Sequence, residues 1–116
     1  MEIIYKNTTA KKQFSSEYKN SWRYPSLVKT KLLAAENYIK QASSLQDIVN
    51  YAPFHFHSLN GKRKKEWSIY LGKETGYRVI LIPCDGENRE ITSGDIIAQC
   101  RSIKVVMVTE VSNHYE

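Results

Sequence analysis

Cysteine is scarce in this chain, proline and glycine are few, and no long hydrophobic run exists; each shortage removes a class of protein. The two cysteines, Cys84 and Cys100, are too far apart for a metal knuckle and follow no secretory signal. Reduced thiols are therefore expected rather than a bridge. No apolar stretch approaches the roughly 20 residues of a membrane span, and Met1 to Tyr5 is too short for the apolar part of a signal peptide. A cytoplasmic protein without membrane contact is the expectation. Low-complexity segments and internal repeats are also missing. Acidic residues are outnumbered, 12 against 17 basic ones, for a net charge of +5 and a pI near 9.2. That balance suits an anionic partner such as nucleic acid, an acidic protein or an anionic surface, and chooses among none of them. Many small soluble domains are mildly basic too. What remains, 116 residues with 41% hydrophobic and 25% charged, is the profile of one folded domain over 1–116, large enough to bury a core without metals or disulfides.

Glu2 to Lys6 has the character of a first strand. Thr8 or Thr9 is placed to cap a helix, with Ala10, Phe14, Tyr18 and Trp22 recurring at four-residue spacing until Tyr24-Pro25. Ser15-Ser16 weaken it. After Pro25, the stripe Val28, Leu32, Ala35, Ile39 and Ala42 predicts a long amphipathic helix, with Lys29, Lys31, Glu36 and Lys40 off the stripe and solvated. Ser44-Leu45-Gln46-Asp47 reads as a capping box opening a further short helix. Pro83 to Gly94 reads as a loop, and Asp95 to Cys100 as either a short helix or a strand start. Ile103 to Val111 is β-branched and apolar on both faces, as in a strand buried on both sides.

The centre of the chain is Phe54 to Ile82. Phe54-His55-Phe56-His57 alternates with period two, so a strand there directs both imidazoles to one side and both phenyl rings to the other. Asn60-Gly61 favours a reversal, and Lys62, Arg63, Lys64 and Lys65 follow it. Trp67 to Leu71 and Tyr77 to Ile82 bracket a glycine-bounded loop, which completes an antiparallel meander. Between positions 55 and 78 six lysines and arginines face only Glu66 and Glu74. The order of strand, two or three helices, then four strands predicts an α+β domain: an antiparallel sheet with N-terminal helices packed on one face.

His55, His57 and His114 titrate near neutrality by default. Zinc is one use for two histidines at i, i+2 plus a third, but the surrounding charge is cationic and opposes a divalent ion. RNA cleavage fits the set better. Attack of a ribose 2′-OH on its phosphate requires a base, an acid for the departing 5′-oxygen and fixed cations. His57, His114 and Tyr115 are candidates for the first two roles, and Arg78, Lys62, Arg63 and Lys64 for the third. Arginine is preferred where a phosphate must be oriented. The run Lys62, Arg63, Lys64 and Lys65 is suited to RNA backbone without reading sequence, although such runs are often only solvated turns.

His57-Ser58-Leu59-Asn60-Gly61-Lys62-Arg63, then Trp67-Ser68-Ile69, then Tyr77-Arg78-Val79-Ile80 resembles the H-x-L-x-G-x-R, W-S-I, Y-R-I succession of HigB toxins in the RelE/ParE superfamily, over about a third of the chain. That resemblance implies the compact RelE/ParE-like fold in β-α-α-β-β-β-β order and a metal- and cofactor-independent endoribonuclease cutting messenger RNA on the translating ribosome. It implies His57, Arg78, His114 and Tyr115 as its catalytic set. The terminal pair stands here as His114-Tyr115, reversed from the tyrosine-then-histidine ending of family members, and the division of acid and base roles stays open. His55 with His57 resembles in position the paired lysines of RelE and so is expected to face RNA. A HigA-like helix-turn-helix antitoxin is the implied partner, through which alone operator DNA is bound. Tyr18, Trp22, Arg23 and Tyr24, crowded at one helix end, are the expected surface for it. Two other classes stay open: a ParE-like toxin aimed at gyrase, and a non-catalytic RNA- or protein-binding module.

Overall fold

Alternation along three adjacent strands decides what this domain buries and what it presents. The computed structural model describes residues 1–18, 24–63 and 65–113, with Lys62 described by its backbone alone. Trp22, Arg23, Lys64, His114 and Tyr115 lie outside the described residues. In chain order, β1 is Glu2–Tyr5, α1 Thr8–Phe14, α2 Ser26–Gln41, α3 Leu45–Val49, β2 His57–Ser58, β3 Trp67–Tyr70, β4 Arg78–Cys84, α4 Ile96–Gln99 and β5 Val105–Ser112.

The five strands form one sheet in the order β1-β5-β4-β3-β2. β2 through β5 are antiparallel neighbours; the short β2–β3 and β3–β4 connections require this, whereas residues 85–104, with α4 among them, are long enough for either direction. β1 is the exception: it pairs parallel to β5, Glu2 opposite Val105 and Tyr5 opposite Val108. The sheet is therefore mixed, not antiparallel as expected. No hairpin joins these two strands; all of the helices and the meander separate them, which leaves β1 free to lie in either direction.

The long helix forms where its stripe predicts, burying Val28, Leu32, Ala35 and Ile39. Together with Phe14, Leu45 and Ile48 they share one core with Ile69, Val79, Leu81, Val106 and Val108 of the sheet. An extra residue in β5 sets this register. Leu81 faces Val108 and Ile80 faces Glu110, so Thr109 is bulged. The bulge lets Val108 and Val111, three apart, both join that core. β5 lies between β1 and β4 and is buried along most of its length, as expected, with Glu110 only partly covered.

Several local expectations are corrected. Asn7, not Thr8 or Thr9, caps α1, its side chain accepting from Ala10 N–H at 2.8 Å. The helix ends at Phe14, and a separate 3-10 turn follows over Ser16–Tyr18. Glu36, expected in solvent, is 1% exposed. Its carboxylate accepts from Ser16 N–H at 3.2 Å and meets Lys40 Nζ at 3.2 Å. The break in the first helix leaves that N–H without a helical partner, and Glu36 supplies one. Pro83 belongs to β4 rather than to the following loop; a proline donates nothing, yet its carbonyl still accepts from Ile91 N–H at 3.0 Å. Ser44 caps α3 as expected, and Asp47 answers by accepting from Ser43 N–H.

The segment Phe54 to His57 is the correction that matters most for the site. Ala52–Phe54 is a 3-10 turn, His55 is left-handed at φ 46°, ψ 52°, and strand begins only at His57. Pro53 near the start of the turn favours that geometry over an extended one. The expected sorting of side chains survives without the strand. Phe54 packs edge-on to Tyr38 and Tyr51, and Phe56 stacks on Trp67 at 4.6 Å. Both imidazoles go the other way, to Tyr70.

Candidate functional site

Residues that alternate with the core positions of β3, β4 and β5 point away from the helices. His57 is opposite Ser68, Ser68 opposite Ile80, and Ile80 opposite Glu110. One step along, Tyr70 is opposite Arg78 and Arg78 opposite Ser112. His57, Tyr70, Arg78 and Glu110 thus share one face over a floor of Ser68 and Ile80, both 0% exposed. Two strand spacings and two residues of offset separate the backbones of His57 and Arg78 by about 12 Å, a span that two long side chains can close around one phosphate.

The histidine pair is built by its own turn. His57 Nδ1 lies 2.8 Å from the His55 carbonyl. The ring centroids of His55 and His57 are 5.4 Å apart, and Tyr70 is 5.0 Å from the first and 5.8 Å from the second. Three polar aromatic rings therefore gather at the β2 edge. Tyr70 was not singled out by the sequence, although Trp67-Ser68-Ile69-Tyr70 signals it: if Trp67 and Ile69 face the core, Tyr70 faces away.

Within the basic run, Arg63 and Lys65 are held by carboxylates. Arg63 Nε and Nη2 donate to the two oxygens of Glu66 at 3.0 and 3.1 Å, and Nη2 also donates to Glu110 at 3.0 Å. These hydrogen bonds to Glu66, with the nearby Glu110 charge, raise the Arg63 guanidinium above its usual range. Glu66 is correspondingly held below the usual carboxylate range, first by the Arg63 hydrogen bond, against the opposing effect of burial. Lys65 donates to Glu90 at 2.8 Å. Glu90 and Glu110 lie far along the chain, outside the stretch between positions 55 and 78. An anion approaching Arg63 or Lys65 would compete with carboxylates already in place. Glu110 was legible as the one charge inside an apolar strand.

Neither cysteine is poised as a nucleophile. Cys84 and Cys100 are buried, and burial pushes the Cys84 thiol up to about 11. Among the described residues no group of three or more His, Cys, Asp or Glu is placed to hold a metal, and no helix is long and apolar enough to cross a membrane.

On the helical side, Tyr18 and Tyr24 line a groove of about 240 Å³ between the end of α1 and α2, with Phe14, Leu32, Leu33 and Glu36. Leu33 on its rim is 50% exposed. Tyr24 is only half available: its hydroxyl donates to the Gln13 carbonyl at 3.2 Å, its ring meets Tyr77 edge-on at 5.6 Å, and burial pushes the phenol up to about 12. Tyr38, Tyr51 and Trp67 are spent on packing.

Compared with known proteins, the chain matches no family model and no curated relative.

Proposed function

We propose that this chain is a HigB-like toxin with the RelE/ParE fold: a ribosome-dependent endoribonuclease that cuts messenger RNA and halts translation, neutralised by a helix-turn-helix antitoxin. The observation that carries this reading is the shared strand face of His57, Tyr70 and Arg78, turned away from the helices. The order of one strand, helices and four further strands, with β1 beside β5, supports the fold assignment.

In the reaction, the ribose 2′-oxygen attacks the adjacent phosphorus and its proton passes to an imidazole. The bond from phosphorus to the 5′-oxygen breaks, and that oxygen takes a proton from an acid. The products are a 2′,3′-cyclic phosphate and a 5′-hydroxyl. His57 is suited to the proton-accepting role because its Nδ1 is held by the His55 carbonyl, which only accepts; Nδ1 then carries the hydrogen and Nε2 a lone pair. Arg78 offers a planar fork to the phosphoryl oxygens, and Tyr70 a ring on which an unpaired base can stack. His114 and Tyr115 are the proposed source of the second proton. The antitoxin is assigned to the groove at Tyr18 and Tyr24, whose exposed Leu33 supplies an apolar anchor, with Trp22 and Arg23 as further contacts.

The test is to add the purified chain to ribosomes carrying a defined messenger and map the new RNA ends. Cleavage that needs the ribosome and leaves a cyclic phosphate is expected. Intact messenger, with DNA damage and filamentation in cells expressing the chain, would replace this reading with a gyrase-directed one.

A further inference from the structure

Among the described residues only two other than glycine have positive φ, His55 and Asn88. Asn88 sits at a tight turn, where asparagine is at home. His55 joins a 3-10 turn to the short β2 strand beside the proposed site. Its N–H donates to the Ala52 carbonyl at 3.0 Å, closing the turn. Its own carbonyl is thereby directed to the ring two residues ahead, at 2.8 Å from His57 Nδ1. In an extended strand this contact does not form: carbonyls lie in the plane of the sheet and side chains stand perpendicular to it. The departure from extended geometry at residue 55 and the anchored ring at residue 57 are therefore one feature.

The anchor has a chemical consequence. A free neutral imidazole in water favours the tautomer with hydrogen on Nε2. A carbonyl partner at Nδ1 reverses that preference, because an oxygen without hydrogen only accepts. We propose that His55 is a positioning residue acting through its main chain: its left-handed backbone aims the carbonyl that fixes His57 with hydrogen on Nδ1 and an open lone pair on Nε2. The catalytic use of that lone pair rests on the nuclease reading above; the tautomer does not. The His55 ring, on this account, is secondary, and any residue that adopts the left-handed conformation serves in its place.

Two substitutions separate backbone from side chain. His55→Gly deletes the ring and keeps both the carbonyl and easy access to positive φ. His55→Val keeps a side chain, but one whose branching opposes positive φ. Long-range ¹⁵N–¹H spectra of the neutral His57 ring in the full chain read the tautomer directly. The wild type and His55→Gly are expected with hydrogen on Nδ1, and His55→Val with its population moved toward Nε2. Both variants lack the His55 ring, so cleavage of ribosome-bound messenger at neutral pH is compared between them, and it should be about tenfold or more slower in His55→Val than in His55→Gly. A wild-type spectrum with hydrogen on Nε2 overturns the proposal by itself, whether or not the valine variant folds. Equal tautomers in the two variants overturn it as well, since ease of the left-handed backbone would then make no difference. The stated tautomers without any RNA cleavage would leave the anchor standing and remove the nuclease reading instead.

Discussion

The two faces of β3, β4 and β5 are made from alternate residues of the same strands, and they follow different rules. Toward the helices, Ile69, Val79, Leu81, Val106 and Val108 are all at most 1% exposed, and their role is volume. On the other face, Ser68 and Ile80 form an equally buried floor, but Tyr70, Arg78 and Glu110 above it are half-buried and polar. Ionisable groups half-buried there have to be paired, because partly desolvated charge otherwise costs free energy. Glu110 is paired with Arg63. The comparison teaches that the helix-facing side carries stability and the other holds half-buried polar groups, where the proposed chemistry would lie, with β-strand alternation as the sorting device.

The largest expected effect on stability breaks the apolar side. Leu81→Ala should lose about 2–5 kcal/mol in urea unfolding, since a packed core refills only part of the cavity. A smaller loss is expected at Glu36, the buried carboxylate beside the break in the first helix. Glu36→Ala strands the Ser16 N–H and should cost about 1–3 kcal/mol; Glu36→Gln keeps an accepting oxygen and should cost less. Equal losses in the two Glu36 variants would mean that the hydrogen bond to Ser16 is not what that side chain provides.

Smaller again is a pH effect on the polar side. The folded Glu66 carboxyl is held below its ordinary value, chiefly by Arg63. Its contribution is therefore complete above the unfolded carboxylate range, near pH 4.3, and is lost as pH falls through the lower folded value. Between about pH 5 and pH 2 the wild type should lose stability more steeply than Glu66→Gln, as followed by unfolding midpoints. Parallel curves would show that Glu66 does not titrate against Arg63. The smallest effect belongs to Lys65 and Glu90, whose pair is exposed: Lys65→Ala should leave the unfolding midpoint unchanged within error.

Much of this division was legible in the sequence where a period ran long enough. The sixteen-residue α2 and the β-branched run at the chain's end announced themselves, and so did the capped turn at Ser44. The antiparallel meander followed from glycine spacing. What failed did so for identifiable reasons. The direction of β1 depends on a partner strand about a hundred residues away, and no local pattern encodes it. Glu36 looked like ordinary helical charge, because its need for burial arises from a helix break twenty residues earlier. Phe54 to His57 imitated a strand by alternation, while Pro53 had already set a turn. The catalytic candidates His57 and Arg78 were found by motif and charge; Tyr70 and Glu110 were not, since their importance lies in cross-strand register. Two charges of the basic run, Arg63 and Lys65, are met by Glu110 and Glu90, counter-charges that come from elsewhere in the chain.

The most direct measurement of this account pairs a rate with a stability on one variant, His57→Ala. Single-turnover cleavage of ribosome-bound messenger should fall by roughly 10²–10⁴ if the imidazole is a general acid or base, while the urea midpoint stays near that of the wild type because the ring lies on the face that does not hold the core. Cleavage at the wild-type rate, or a loss that only tracks a collapse in stability, would contradict the assignment of chemistry to this side of the sheet.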